Sequence, residues 1–294
     1  MQLTAAEKTR DRTSDRFGHR QLRLVDVDID LSWNYPDPQA VGASIFGDAP
    51  AGDTDGISLN LRRTNAGYTL VGAGYGATQR RTLGELFQDA EMAITEAALD
   101  SLRHRYLTVH AAVVAHNGAG LLLIGGHDAC KTSLGCALAR TGALLLSDEV
   151  GPVCPADLFV QPFPRDLILH AGTSPSLGGL PPAPGFKCFH GYRYLPPSAV
   201  NGATCTSVPV RGLLFPARAA VALPGLSHQS QAQSARVLLQ QCFDLEGVGG
   251  ETATDCASRL AQLPAANISF SNAADALELV WRWWESEVES GVVR

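Results

Sequence analysis

Gly125-Gly126-His127-Asp128-Ala129-Cys130-Lys131-Thr132-Ser133 joins an apolar run, Ala119 to Ile124, to a short stretch of helical period, Ser133 to Arg140. A buried strand, a tight turn begun by glycine and a helix opened by Lys-Thr bring unpaired N–H groups and the positive end of a helix dipole to one point. Such a point seats phosphate oxygens. Lys131 adds a point charge suited to β- and γ-phosphates, and the Thr132 hydroxyl is suited to Mg²⁺. The string fits the phosphate-binding pattern G-x-x-x-x-G-K-[ST] at every position but one: Cys130 stands where the second glycine belongs. A Cβ and a sulfur there occupy space in which the backbone otherwise approaches the nucleotide most closely.

Two further groups of residues have matching chemistry. Downstream, Ala143 to Ser147 reads as an apolar strand ending in Asp148-Glu149, and acidic residues at the carboxyl end of a buried strand are what a Mg²⁺ site needs. One helix and one turn separate Lys131 from Asp148, so the acidic strand is expected to follow the loop strand directly as a βαβ unit. Upstream, Leu107 to Ala115 and Gly120 to Ile124 form two apolar strands across His116-Asn117-Gly118, an Asn-Gly hairpin signal. His110 lies on the first of them, where a satisfied core histidine and a catalytic one are equally expected.

The order His110-Ala111-Ala112-Val113-Val114, glycine-Lys-Thr loop, Leu145-Leu146-Ser147-Asp148-Glu149-Val150 resembles the HPr kinase/phosphorylase superfamily, in particular its HPr-kinase-related branch. Pro162-Phe163-Pro164-Arg165, Leu167-Ile168-Leu169, and Lys187 ahead of Tyr194-Leu195-Pro196-Pro197 look like later landmarks of that branch, so the resemblance covers Leu107 to Val280. It implies an α/β fold: a P-loop core sheet of HPr-kinase-like, phosphoenolpyruvate-carboxykinase-like type with flanking helices, preceded by a small β-rich segment. It also implies ATP held by Gly125 to Ser133, Mg²⁺ on Thr132 and Asp148, and Asp148 with Glu149 as metal ligand and base. His110 would lie beside them, while Arg165 and Lys187 would supply charge to the transferring phosphoryl group. The acceptor would be a hydroxyl, either the serine of a peptide or small protein or a small-molecule alcohol. Cys130 departs from this pattern, and the glycine-rich C-terminal signature of true HPr kinases has no counterpart. Phosphorylation of HPr itself is therefore not carried over. The alternative is a degenerate P-loop protein working as a nucleotide-binding or scaffolding subunit without kinase activity.

The elements around these residues follow from periodicity. Residues 1–20 are dense in charge and are expected to be disordered. Residues 21–105 read as a small antiparallel β unit, with a strand from Leu22 through Leu31 and further strands at Ile57–Arg62 and Tyr68–Gly72. An amphipathic helix follows, opened by a Thr82/Glu85 capping box. Residues 106–294 then form the loop-bearing domain. In it Gly172 to Gly185 is too rich in Gly and Pro for regular structure and is expected to be a substrate lid. Strands are expected at Val208–Phe215, Ala219–Leu223 and Ile268–Phe270. Helices are marked by Ala235 to Cys242, by Cys256 to Leu263, and by Leu277 to Val288 with Asn272 as cap. Trp281, Trp283 and Trp284 point to helix packing or to a contact in a homo-oligomer.

Composition bounds the rest. The 294 residues are 45% hydrophobic, enough for an ordinary core, and the net charge of −6 gives no basic field for nucleic acid. No stretch reaches the roughly eighteen apolar residues of a membrane span, and the polar N-terminus lacks the core of a signal peptide, so a cytoplasmic protein without membrane partners is expected. The seven cysteines show neither a C-x-x-C pair nor zinc spacing. A Cys130 thiol at a helix start beside Lys131 is expected to favour its thiolate.

Overall fold

The computed structural model describes residues 17–36, 41–53, 56–72, 75–170, 187–189, 192–202, 206–219 and 223–289. It is a mixed α/β protein that divides into two compact units, Met1–Ala98 and Leu99–Arg294. No described helix is long and apolar enough to cross a membrane.

The first unit holds β1 (Gly18–Leu24), β2 (Val27–Trp33), α1 (Val41–Ser44), β3 (Ile57–Thr64), β4 (Gly67–Gly72), β5 (Tyr75–Arg80) and most of α2 (Leu83–Leu102), with the strands in the order β1-β2-β3-β4-β5. Three expectations are corrected here. Gly18, His19 and Arg20 belong to β1, where their backbones pair with Trp33, Ser32 and Leu31, rather than to a disordered end. The alternation from Leu22 to Leu31 is two strands, because Val25 takes a left-handed φ of 61° and turns the chain back on itself. The unit is also not antiparallel throughout. β2 and β3 run parallel, which the long connection between them permits and a tight hairpin would forbid. The helix start is as expected: the Glu85 carboxylate accepts from the Thr82 amide at 3.0 Å, and the Thr82 hydroxyl accepts from the Glu85 amide at 3.2 Å.

The second unit is built on β6 (Leu107–His116), β7 (Ala119–Ile124), β8 (Leu144–Ser147), β9 (Val150–Val153), β10 (Phe159–Val160), β14 (Val208–Arg218), β15 (Gly225–His228) and β16 (Ala265–Phe270). The main sheet has the order β10-β9-β6-β7-β14-β16-β15, with β8 paired to β6 beside β9. A small separate sheet contains β11 (Leu167–His170), β13 (Tyr192–Leu195) and β12 (Lys187–Phe189) in that order. The helices are α3 (Lys131–Arg140), α4 (Gln231–Gln240), α5 (Gly250–Leu260) and α6 (Ala273–Trp283), the last continued by a π-helical turn, Trp284–Glu289.

Hydrophobic runs in β6 and β7 are buried on both faces, as strands covered by helices on two sides must be. Ala112, Val114, Leu121 and Leu123 pack with Leu134 and Leu138 of α3 and with Val280 and Trp284. Alternate residues, Ala111, Val113, Leu122 and Ile124, face Leu238 of α4 and Cys256 and Leu260 of α5. The Asn117-Gly118 turn closes the β6–β7 hairpin with φ of 48° and 75°. β8 is antiparallel to β6 and so points the same way as β7, but β6 lies between them, so the acidic strand does not neighbour the loop strand. The strand expected to stop at Phe215 continues through Pro216 to Arg218, and the one expected at Ile268 begins at Ala265. Of the strand expected at Ala219–Leu223, Ala219 and Leu223 are not in strands and residues 220–222 lie outside those described, as does the expected lid segment Gly172 to Gly185.

Candidate active site

β7, β14 and β16 are parallel, so their carboxyl ends share one edge of the main sheet, where ligands of open α/β sheets bind. β7 delivers Gly125 and Gly126 to this edge, and α3 begins six residues beyond Gly125, at Lys131. The turn between is tight: the Ala129 amide donates to the Gly126 carbonyl at 3.3 Å, while Asp128 and Cys130 both take left-handed φ values of 62°. Cys130 is the N-cap residue of α3, and no side chain caps this end. The first-turn amides of Lys131, Thr132 and Ser133 therefore face outward without intrahelical acceptors. The Lys131 ammonium folds back over the turn and donates to the carbonyls of Gly125 at 2.8 Å and Gly126 at 3.1 Å. Burial lowers its pKa, and Glu149, Asp148 and Asp128 oppose that fall.

The acidic pair sits in the bend between β8 and β9. The Ser147 hydroxyl accepts from the amides of Glu149 at 3.4 Å and Val150 at 3.1 Å, which shapes the bend. Asp148 is buried, and its Oδ1 has no hydrogen-bond partner. Burial pushes its pKa up to about 6, with Glu149 adding to the rise while Thr132, Arg165 and Lys131 oppose it. Glu149 goes the other way. Burial works against its charge, but the His110 hydrogen bond and the cations Arg165 and Lys131 hold its carboxyl below the usual range.

His110 pairs across the sheet with Val150, which sets its Nε2 2.9 Å from Glu149 Oε1. Its strand is fixed from the other side by the segment after α4, since the His110 amide donates to the Gln241 carbonyl at 2.7 Å and the Phe243 ring lies 5.7 Å from the imidazole. Arg165 follows the Pro162-Phe163-Pro164 strap, which is tied to β8 by the Phe163 amide donating to the Leu146 carbonyl at 3.0 Å. Its guanidinium lies 3.6 Å from Glu149 Oε2.

One open cavity of about 730 Å³ takes in His110, His127 through Ser133, Asp148, Glu149 and Arg165. Gly125 and Gly126 are tied to it through the Lys131 bonds to their carbonyls. Lys187 begins β12 opposite Tyr194, and its side chain lies outside the described residues. The expectation for Cys130 is corrected: burial raises its thiol pKa more than Arg218 lowers it, so the thiol form is favoured despite the helix start and Lys131. The cavity also contains Tyr192, Ser271 and Arg218, which sequence reading did not assign. Arg218 lies beyond Phe215, where the strand was expected to stop, whereas β14 runs on with Pro216 opposite Ile268.

The oxygens of Thr132 and Asp148 could hold a hard cation, and the unpartnered Asp148 Oδ1 is the atom best placed to accept one. Among the described residues no group of three or more His, Cys, Asp or Glu side chains forms a metal cage. Those two oxygens suit an ion that keeps most of its ligands as water and substrate oxygens, as Mg²⁺ does. The Trp281, Trp283 and Trp284 side chains serve helix packing: Trp284 is fully buried, Trp281 stacks on it at 5.4 Å, and Trp283 is packed against the same core. No model of a known protein family matches the chain, nor does any curated protein.

Proposed function

We propose that this chain is an ATP-dependent kinase of HPr-kinase-like type that transfers the γ-phosphoryl group to a hydroxyl acceptor, the serine of a peptide or small protein or a small-molecule alcohol. The observation that carries this reading is the convergence, in one cavity, of an uncapped helix start bearing Lys131 and Thr132 with two carboxylates of opposite tuning, Asp148 and Glu149. The amides of Lys131 to Ser133 would hold phosphate oxygens. Lys131 would exchange its two loop carbonyls for them. Mg²⁺ between Thr132 and Asp148 would neutralise phosphate charge.

Asp148 would hold that ion, which leaves Glu149, kept ionised by its neighbours, as the base for the acceptor hydroxyl. As the hydroxyl oxygen bonds to the γ-phosphorus, the bond to the bridging oxygen of ADP breaks and the hydroxyl proton passes to Glu149. Glu149, in contact with His110, also holds the Arg165 guanidinium at the place where the transferring group would carry its charge. The test is transfer of labelled γ-phosphoryl to hydroxyl peptides and alcohols. Glu149→Gln should lose roughly 10²- to 10⁴-fold in turnover, and unchanged turnover would remove Glu149 from the chemistry. A second reading, a nucleotide-binding or scaffolding subunit without kinase activity, is favoured by one observation, the strained left-handed backbone of Cys130 within the turn.

A further inference from the structure

The loop strand β7 divides the cavity. On one side β6 and β8 bring His110, Asp148 and Glu149, while on the other β14 and β16 bring Arg218 and Ser271. A nucleotide whose transferring end faces the carboxylates must extend its remaining phosphates along the turn, toward the β14 side. Arg218 ends β14 there. Two residues before it, the Pro216 carbonyl lies 3.5 Å from where a Cβ on Gly125 would sit, so the end of β14 runs beside the start of the turn. The guanidinium also lies close enough to Cys130 for its charge to act on the thiol.

The three cations among the described residues of the cavity differ in what they already hold. Lys131 is bonded to carbonyls, and Arg165 faces Glu149. Arg218 is exposed and makes no side-chain hydrogen bond or ion pair with any described residue. A carboxylate-free guanidinium at the rim of a phosphate seat presents several donors in a fork that matches phosphate oxygens.

We propose that Arg218 is a phosphate-binding residue of this site, gripping the nucleotide's non-transferred phosphates from the β14 side while Lys131 and Arg165 serve the γ-phosphoryl group; this rests on the kinase reading. Its role is in affinity and orientation, since no reacting atom lies on its side of β7.

The test titrates wild type, Arg218→Ala and Arg218→Lys with MgATP, MgADP and inorganic tripolyphosphate, with an unfolding curve of each protein to verify the fold. An exposed side chain of this kind can be removed with little change in stability. Arg218→Ala should weaken MgATP and MgADP by roughly ten- to a hundredfold, the effect of losing a charge-assisted hydrogen bond, and Arg218→Lys should restore part of that. Equal affinities in wild type and Arg218→Ala would overturn the role of Arg218 and leave the kinase reading standing. Tripolyphosphate binding that depends on Arg218, with no preference for nucleotide over it, would keep the anion role and sink the kinase reading. Absence of binding by all three ligands to wild type would overturn both.

Discussion

Asp148 holds its carboxyl inside the protein, and that placement opposes stability. Below its ordinary value of 3.8 the group is protonated in folded and unfolded chains alike. Between there and about 6 the unfolded chain releases the proton and the folded protein keeps it, so stability falls as pH rises through this window and stays lower above it. At ~1.4 kcal/mol per pH unit the difference amounts to about 3 kcal/mol. Asp148→Asn, neutral at every pH, should therefore be more stable than wild type at pH 8 by about that amount, and equal to it below pH 4. Urea unfolding at several pH values without Mg²⁺ measures this, and a variant less stable at pH 8 would contradict the burial argument. At Cys130 two small terms oppose each other. Glycine would relieve a left-handed backbone that costs on the order of 1 kcal/mol, but would free the unfolded chain by a similar amount. Cys130→Gly should leave stability nearly unchanged and tighten MgATP binding by clearing the turn, as parallel titrations would show. Weaker binding would give the thiol a positive role. Lys131, Thr132, Asp148 and Glu149 were legible because their order along the chain is itself the signal. The tuning of Asp148 against Glu149 was not, because it depends on burial and on which neighbour carries the opposite charge.

At the scale of elements, the site depends on how closely α3 lies on the sheet. A Cβ on Gly135 would sit 3.3 Å from Leu145 Cδ1 and 3.7 Å from Leu123 Cδ1, so β8 and β7 meet the helix at this glycine. Gly135→Leu should cost about 1–3 kcal/mol by overpacking and should also weaken nucleotide binding by displacing the Lys131 turn. A variant destabilised in this way but with unchanged MgATP affinity would show that the turn is set independently of α3. The hairpin at Asn117-Gly118, the Thr82/Glu85 box and the Asn272 cap of α6 were readable because each is a local rule. The Asn272 side chain accepts from the Ala274 amide at 3.1 Å, as a cap should. Pairings across long connections were not readable. The parallel β2–β3 pair and the insertion of β6 between β7 and β8 depend on where distant strands find partners, and periodicity contains no such information. The β14 extension past Phe215 depends on pairing with β16, which local pattern does not contain.

For the whole molecule, every candidate site residue lies in the unit Leu99–Arg294, and the net charge of −6 offers an anionic ligand no long-range attraction. On the proposed reading, affinity for a nucleotide would come from the local arrangement of Lys131, Arg165, Arg218 and the α3 amides. The mixed α/β class was legible from alternating strand and helix patterns. The mutual placement of the acidic bend, the Pro162–Arg165 strap and the end of β14 emerges only when three separate stretches fold onto one sheet edge. The most direct test of the central claim is calorimetric titration of MgATP into wild type and Lys131→Ala. Saturable binding to wild type and at least tenfold weaker binding to the variant is the result predicted here, on the scale of a lost charge-assisted contact. Equal affinity in the two proteins, or no binding to wild type, would contradict it.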